Sequence, residues 1–213
     1  MRNPVLNLLL KLGGGMRKKR MARMLEYIRF DGGMRILDVG GSGDWDWESV
    51  DADVSITTIN LYPAAEIGLE NYVQGDACDM HMFSDGEFDL VFSNSVIEHL
   101  PSKDHQRQMA TEIQRVGKAY WVQTPNKHFP LELHLCFLFI QYFPVKWRIA
   151  FAKIWPFSFE KMRGRIDGAV ADAQAILLTS KDFKILFPDG ELICEKFMGM
   201  MKSLIVFKGV GHG

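Results

Sequence analysis

The run Arg35–Val39 passes without a spacer into Gly40-Gly41-Ser42-Gly43, three glycines in four residues. A strand ending this way exposes bare backbone at its carboxyl end. Glycine there takes positive φ at little cost and lets main-chain amides approach a ligand closely. In open α/β sheets, ligands bind at that edge. The feature therefore calls for a mostly parallel sheet with helices on both faces.

The rest of the chain supplies such a sheet. Val54–Leu61 is β-rich and stops before Pro63, Tyr72–Gln74 is a short strand, and Phe88–Ser93 is a strand entered from Asp85-Gly86. Ala119–Gln123 is another, closed by Thr124-Pro125-Asn126, and Cys194–Met198 with Ser203–Lys208 reads as a terminal hairpin. Between them, Met109, Ile113 and Val116 recur at helical spacing behind a Ser102 cap, and Ser180–Phe187 reads as a short helix. Ahead of the glycine turn, Met21, Met24, Leu25 and Ile28 mark one helical face of Arg17–Phe30. Strands alternating with helices imply a doubly wound sheet.

Length and charge narrow the partners. The 213 residues suit one large domain with a cap, and a hydrophobic content of 47% excludes wholesale disorder. The net charge of −1 averages blocks of opposite sign. Residues 1–30 carry eight basic and one acidic residue, whereas 31–126 carry five basic and seventeen acidic. Residues 127–165 return to seven basic against two acidic. Three widely spaced cysteines, Cys78, Cys136 and Cys194, form no CxxC, and the six histidines include no HExxH. A disulfide framework and a metal site are not expected, and a reducing, cytoplasmic setting is. No secretory signal or transmembrane helix is expected, because Val5–Leu12 and Leu131–Phe143 are too short.

The identity of the ligand turns on spacing. A dinucleotide fingerprint read from Gly41 fails at Asp46, where its third glycine belongs, and no Gly-Lys-Ser/Thr is present. Asp44-Trp45-Asp46-Trp47-Glu48 would repel a pyrophosphate. A ligand with a positive centre and no phosphate fits better.

Four ordered segments carry a resemblance. Ile36-Leu37-Asp38-Val39-Gly40-Gly41-Ser42-Gly43, then Gly75-Asp76-Ala77, then Phe88–Ser93, then Ser95-Val96-Ile97-Glu98-His99-Leu100, resemble successive motifs of class I S-adenosylmethionine-dependent methyltransferases, in their broad small-molecule (type 11-like) branch. The resemblance spans residues 34–126 plus the terminal hairpin. It implies a Rossmann-like, seven-stranded sheet with one antiparallel hairpin strand, and S-adenosylmethionine as cofactor. It divides the chain into a basic amphipathic helical segment, 1–30, and a methyltransferase-like domain, 31–213, with 127–170 as a helical, aromatic cap.

By the same resemblance, Gly40, Gly41, Ser42 and Gly43 would line the methionine part, and Asp38 would orient the turn and the amino group. Asn60 and Leu61 would meet the ribose, Asp76 and Ala77 the adenine edge, and Ser93 and Asn94 would lie below the sulfonium. Ser42 and Asp44 stand where the family pattern has glycine, and Asn60 where it has a carboxylate.

Methyl transfer from a sulfonium is an in-line displacement, and positioning alone can supply about 7–11 kcal/mol of the barrier reduction. His99, after the fourth strand, is the first candidate for base or acceptor-positioning group. Glu132 and His134, two apart after the fifth strand, would share a side in an extended segment. The cap's Phe137, Phe139, Tyr142, Phe143, Trp147, Phe151, Trp155, Phe157 and Phe159 alternate with Lys146, Arg148, Lys153, Lys161, Arg163 and Arg165. That mixture suits an anionic headgroup or membrane interface at 137–165, with Arg17–Arg20 cooperating. Nucleic acid is not expected, since no RNA-binding module accompanies the core. The expected function is methyl transfer to a small-molecule, lipid-linked or glycan-linked acceptor. The rivals are an inactive binding module of the same fold and, disfavoured by the missing third glycine, a nicotinamide-dependent oxidoreductase.

Overall fold

A computed structural model describes residues 4–43, 45–64, 68–69 and 71–209; Asp44 lies outside the described residues. In chain order these form α1 (Pro4–Tyr27), β1 (Met34–Val39), β2 (Val54–Asn60), β3 (Tyr72–Gln74), β4 (Phe88–Asn94), α2 (Lys103–Val116) and β5 (Gly117–Pro125). Then follow β6 (Leu131–Glu132), β7 (Phe137–Leu138), α3 (Val145–Ile154), α4 (Phe159–Met162), α5 (Ile166–Asp172), α6 (Ser180–Leu186), β8 (Glu191–Phe197) and β9 (Met200–Lys208).

One seven-stranded sheet runs β3-β2-β1-β4-β5-β9-β8. Neighbours from β3 through β5 pair in parallel, and β9 is antiparallel to both β5 and β8. The order reverses beside β1, so the ends of β1 and β4 flank a topological switch point, the place where open sheets bind ligands.

The apolar runs of the central strands fill two cores by alternation. Leu37, Val91, Tyr120, Val122 and Val206 face α2 and α6, meeting Met109, Ile113, Phe183 and Phe187. Their neighbours Ile36, Leu90, Phe92, Trp121 and Ile205 face the other way, onto Met21 and Met24 of α1 and Ile28 just beyond it. Burial on both faces is what parallel strands require. The Ser102 cap is present: its Oγ accepts from the His105 amide at 3.2 Å.

Three expectations shift. The helix over 17–30 begins earlier and stops at Tyr27. Leu25 is exposed, because the buried stripe runs through Arg20, Met21, Met24 and Ile28. The terminal hairpin is longer and tighter than expected, closing at Met198-Gly199 with φ of 50° and 79°. Two successive left-handed residues are the geometry of a type I′ turn.

Residues 127–172 cover the carboxyl edge of the sheet. They hold the small β6–β7 ladder, a separate core of Leu135, Ile140, Ala152 and Ala173, and an aromatic stack. In that stack Phe151 lies 4.7 Å from Phe137 and 5.1 Å from Trp155. Part of the aromatic content thus packs the cap itself. The remainder faces outward, led by Trp147 and Ile154, which are 67% and 78% exposed.

Candidate active site

The glycine turn is pinned from three directions. Gly40, at φ 78°, donates its amide to Ile59 O at 2.8 Å, and Val96 packs so closely that a side chain at 40 would overlap it. The Asp38 carboxylate lies directly beneath Gly41, where any Cβ would clash with it. Asn60 donates from Nδ2 to Gly41 O at 3.0 Å. Burial pushes the Asp38 carboxyl up to about 7, and the neighbouring Trp47 indole offsets only part of that. Trp45 and Trp47 fold the acidic segment back onto Phe92, at 4.5 and 5.1 Å between ring centroids. Among the described residues, Trp45 Nε1 has no hydrogen-bond partner.

Other positions expected at the cofactor divide by exposure. Leu61 is open to solvent, while Gly41 and Ala77 are half-buried. Asp76 Oδ1 accepts from the Cys78 amide at 2.8 Å and closes the turn after β3. Ser42 lies on the turn beside them. Ser93, expected below the sulfonium, has its side chain turned inward. It is fully enclosed, and its Oγ donates to Val39 O at 3.2 Å, tying β4 to β1.

Asn94 has an unforeseen partner. Arg20 of α1 reaches across the end of the sheet and donates from Nη1 to Asn94 Oδ1 and, at 2.8 Å, to Gln123 Oε1. Its Nε and Nη2 bind both Glu195 oxygens, at 2.8 and 2.6 Å. Ser95 Oγ joins the same Gln123 oxygen at 2.9 Å. Arg20 was expected to belong to a solvent-facing basic patch; it is instead buried. Arg17 and Lys18, one turn away, line a cleft of about 520 Å³ between α1 and Trp45–Ser49.

The three residues expected to do chemistry do converge. His99, at the end of the short 3₁₀ turn Ile97–His99, stacks edge-on against His134 with centroids 4.8 Å apart. His134 Nδ1 meets Glu132 Oε1 at 2.6 Å, and Glu132 Oε2 accepts from the Leu135 amide at 2.6 Å. Two further acids complete the group. Glu98 is fully buried, with Oε2 accepting from Thr124 Oγ1 at 3.0 Å. Asp172 Oδ1 stands 3.9 Å from His99 Nδ1.

These groups set one another's protonation. Burial, helped by repulsion from His134, pushes His99 down to about 4. Burial also opposes a proton on His134, but Glu132, Asp172 and Glu98 outweigh it and raise that ring to about 9. Burial raises Glu98 to about 7 and Asp172 to about 6, whereas His134 holds Glu132 below its ordinary range against the effect of burial. His99 is thus neutral near neutral pH and His134 is cationic. Glu98 was part of a recognised motif, and its place between apolar Ile97 and Leu100 was the available signal. Asp172 and Arg20 gave none.

The edge suits a cationic nucleoside. Asp38, Asp76 and the Asn60 amide oxygen are acceptors, so they match ammonium and ribose donors rather than phosphate. S-adenosylmethionine, when bound, supplies an activated methyl group on a sulfonium.

Residues 44–119 match a family described as a methyltransferase domain. No curated protein matches the chain by sequence. Among solved structures, a SAM-dependent methyltransferase from Archaeoglobus fulgidus superposes with a TM-score of 0.57 at 14% identity, over 92% of this chain and 94% of that one. The complex between the Haloferax volcanii Trm112 methyltransferase activator and the putative methyltransferase gives 0.54 at 11% identity, over 100% of both chains. Phosphoethanolamine N-methyltransferase 2 of Haemonchus contortus gives 0.55 at 14% identity, over 83% of this chain and 38% of that one. The sheet topology is that of the SAM-dependent methyltransferase it superposes on, residues 44–119 match a methyltransferase domain, and together they support S-adenosylmethionine as the cofactor.

Proposed function

We propose that the protein transfers a methyl group from S-adenosylmethionine to a small-molecule, lipid-linked or glycan-linked acceptor that carries an anionic group. The observation that carries this reading is the junction at Val96. This residue packs on Gly40 and begins the turn that presents Glu98 and His99, so the cofactor cradle and the buried polar cluster share one edge.

In this reading, Asp38 and Asn60 hold the turn in shape, and the turn with Asp76 and Ala77 holds the cofactor. His99, the cluster member with the most open side chain, meets the acceptor, with 34% of that side chain exposed. Being neutral, it accepts a hydrogen bond from an acceptor hydroxyl or amine and orients it. Glu132 fixes the His134 ring behind it. A positioned base is worth about 10²–10⁴-fold.

The cap contributes the acceptor's surroundings. Trp147, Ile154, Phe139 and Tyr142 are exposed in the segment that also exposes Lys146 and Lys153. Apolar side chains flanked by long cations suit the interface of an anionic bilayer. No described helix is long and apolar enough to cross a membrane. In this reading the protein meets its acceptor at a membrane surface through the cap.

Incubation with methyl-labelled S-adenosylmethionine and fractionated lipid and metabolite extracts tests the reading. Label should enter an anionic fraction, and His99→Ala should reduce transfer by at least tenfold. Label confined to neutral fractions would refute the acceptor class. Unchanged transfer in His99→Ala would remove that residue from the chemistry.

A further inference from the structure

We propose that Glu98, His99 and His134 form a site for one divalent transition-metal ion, with a coordination position left for a water or an acceptor oxygen. One ligand atom from each residue lies within 4.8 Å of the other two. A bound ion with bonds of about 2.0–2.2 Å needs its ligands closer than that, so loading draws the three side chains inward by about 1 Å.

Two observations mark this as a ligand site rather than an ordinary buried network. The first is the orphaned oxygen of Glu98. Its Oε2 is held by Thr124, but Oε1 is buried and has no hydrogen-bond partner among the described residues. Buried carboxylate oxygens are ordinarily satisfied, so an unmatched one in a cluster with two imidazoles points to a cation as its partner. The second is the tautomer that Glu132 imposes. With Nδ1 of His134 bound to Glu132 at 2.6 Å, Nε2 is left as the nitrogen that coordinates metal once the ion displaces its proton. Carboxylate–histidine pairing of this kind is the usual outer shell of a metal-binding imidazole.

The scaffold is rigid where the ligands attach. Glu98 O accepts from the Ile176 amide at 2.7 Å, and Gln106 Nε2 donates to Ile97 O and Ile176 O at 3.0 and 2.9 Å. The charge is also appropriate. Glu98, Glu132 and Asp172 bring three carboxylates to the cluster, and the nearby Arg148 directs Nη1 to Ala175 O instead. Two nitrogens and one oxygen favour zinc, iron, cobalt or manganese over the all-oxygen preference of magnesium and calcium. Three protein ligands leave a fourth position, which is the pattern of reactive rather than structural sites. An acceptor hydroxyl bound there would be acidified, on the same edge as the glycine turn.

The test uses the full chain, stripped with a chelator and titrated with Co²⁺ in the absence of cofactor. It therefore stands or falls separately from S-adenosylmethionine binding. One Co²⁺ per chain should bind with visible d–d absorption, be displaced by Zn²⁺, and resist Mg²⁺. His99→Asn and Glu98→Gln should each weaken binding at least tenfold. Glu132→Gln keeps all three ligands and should weaken it about 10–100-fold. Near-ultraviolet circular dichroism checks folding, and the partly exposed His99 decides the matter if Glu98→Gln does not fold. Absence of d–d bands, or equal affinity in folded His99→Asn, overturns the proposal.

Discussion

At the scale of single residues, Asn60 is the side chain that braces the glycine turn. Its Nδ2 donates to Gly41 O, a bond no carboxylate can make. Asn60→Asp would restore the resemblance to the family yet set an anion against a carbonyl oxygen. Losing the bond costs about 0.5–1.5 kcal/mol. The variant should melt at lower temperature than the parent in calorimetric scans; an unchanged or higher melting temperature would show that the turn does not depend on this amide. Asp38, Gly40 and Gly41 were legible in the sequence because their roles are local, set within a few residues of the strand end. Arg20 and Glu98 were not. A basic residue within Arg17–Arg20 reads as surface, and only Glu195, 175 residues away, reveals that it is buried.

At the scale of elements, Arg20 is what locks α1 to the sheet. It binds both oxygens of Glu195 on β8 and also reaches β4 and β5, with side-chain exposures of 6% and 17% for the ion pair. Removing one partner of a buried pair costs about 3–5 kcal/mol, because the other is left uncompensated. Arg20→Met should lose an amount of that order in urea unfolding. The pair also sets a pH signature. Burial raises the Glu195 carboxyl, but Arg20 outweighs burial and holds it below its ordinary 4.5. A depressed folded-state carboxyl gives stability that is present above the unfolded value and lost as pH falls through the folded one. The parent should therefore lose this increment below pH 4.5, and Arg20→Met should not, which acid titrations followed by circular dichroism would reveal.

Sequence periodicity identified the strands and α2 because alternation and the 3.6-residue repeat survive in a single chain. It missed the reach of the hairpin, whose turn depends on two left-handed residues at Met198 and Gly199. It also missed the division of labour in the cap. Aromatic content alone does not separate Phe151, which packs inside, from Trp147, which faces solvent.

At the scale of the whole molecule, charge and topology divide the work. The acidic block 31–126 contains the glycine turn, and the basic block 127–165 forms the cap. If the cap docks on lipid, the chain should float with vesicles containing phosphatidylglycerol and not with phosphatidylcholine alone. Binding should weaken with salt, as surface electrostatics require. Lys146→Glu with Trp147→Ala should reduce flotation several-fold without changing the melting temperature. Flotation that ignores both charge and these substitutions would place any membrane contact elsewhere.

The central claim is that the turn closed by Asp38 and Asn60 holds S-adenosylmethionine. Isothermal titration calorimetry with S-adenosylhomocysteine, comparing the parent with Gly41→Ala, tests it most directly, since a side chain at 41 displaces the Asp38 carboxylate. The account predicts one site per chain in the parent, binding at least tenfold weaker in the folded variant, and no heat with NAD. Absence of binding by the folded parent, or equal affinity in both proteins, would contradict it.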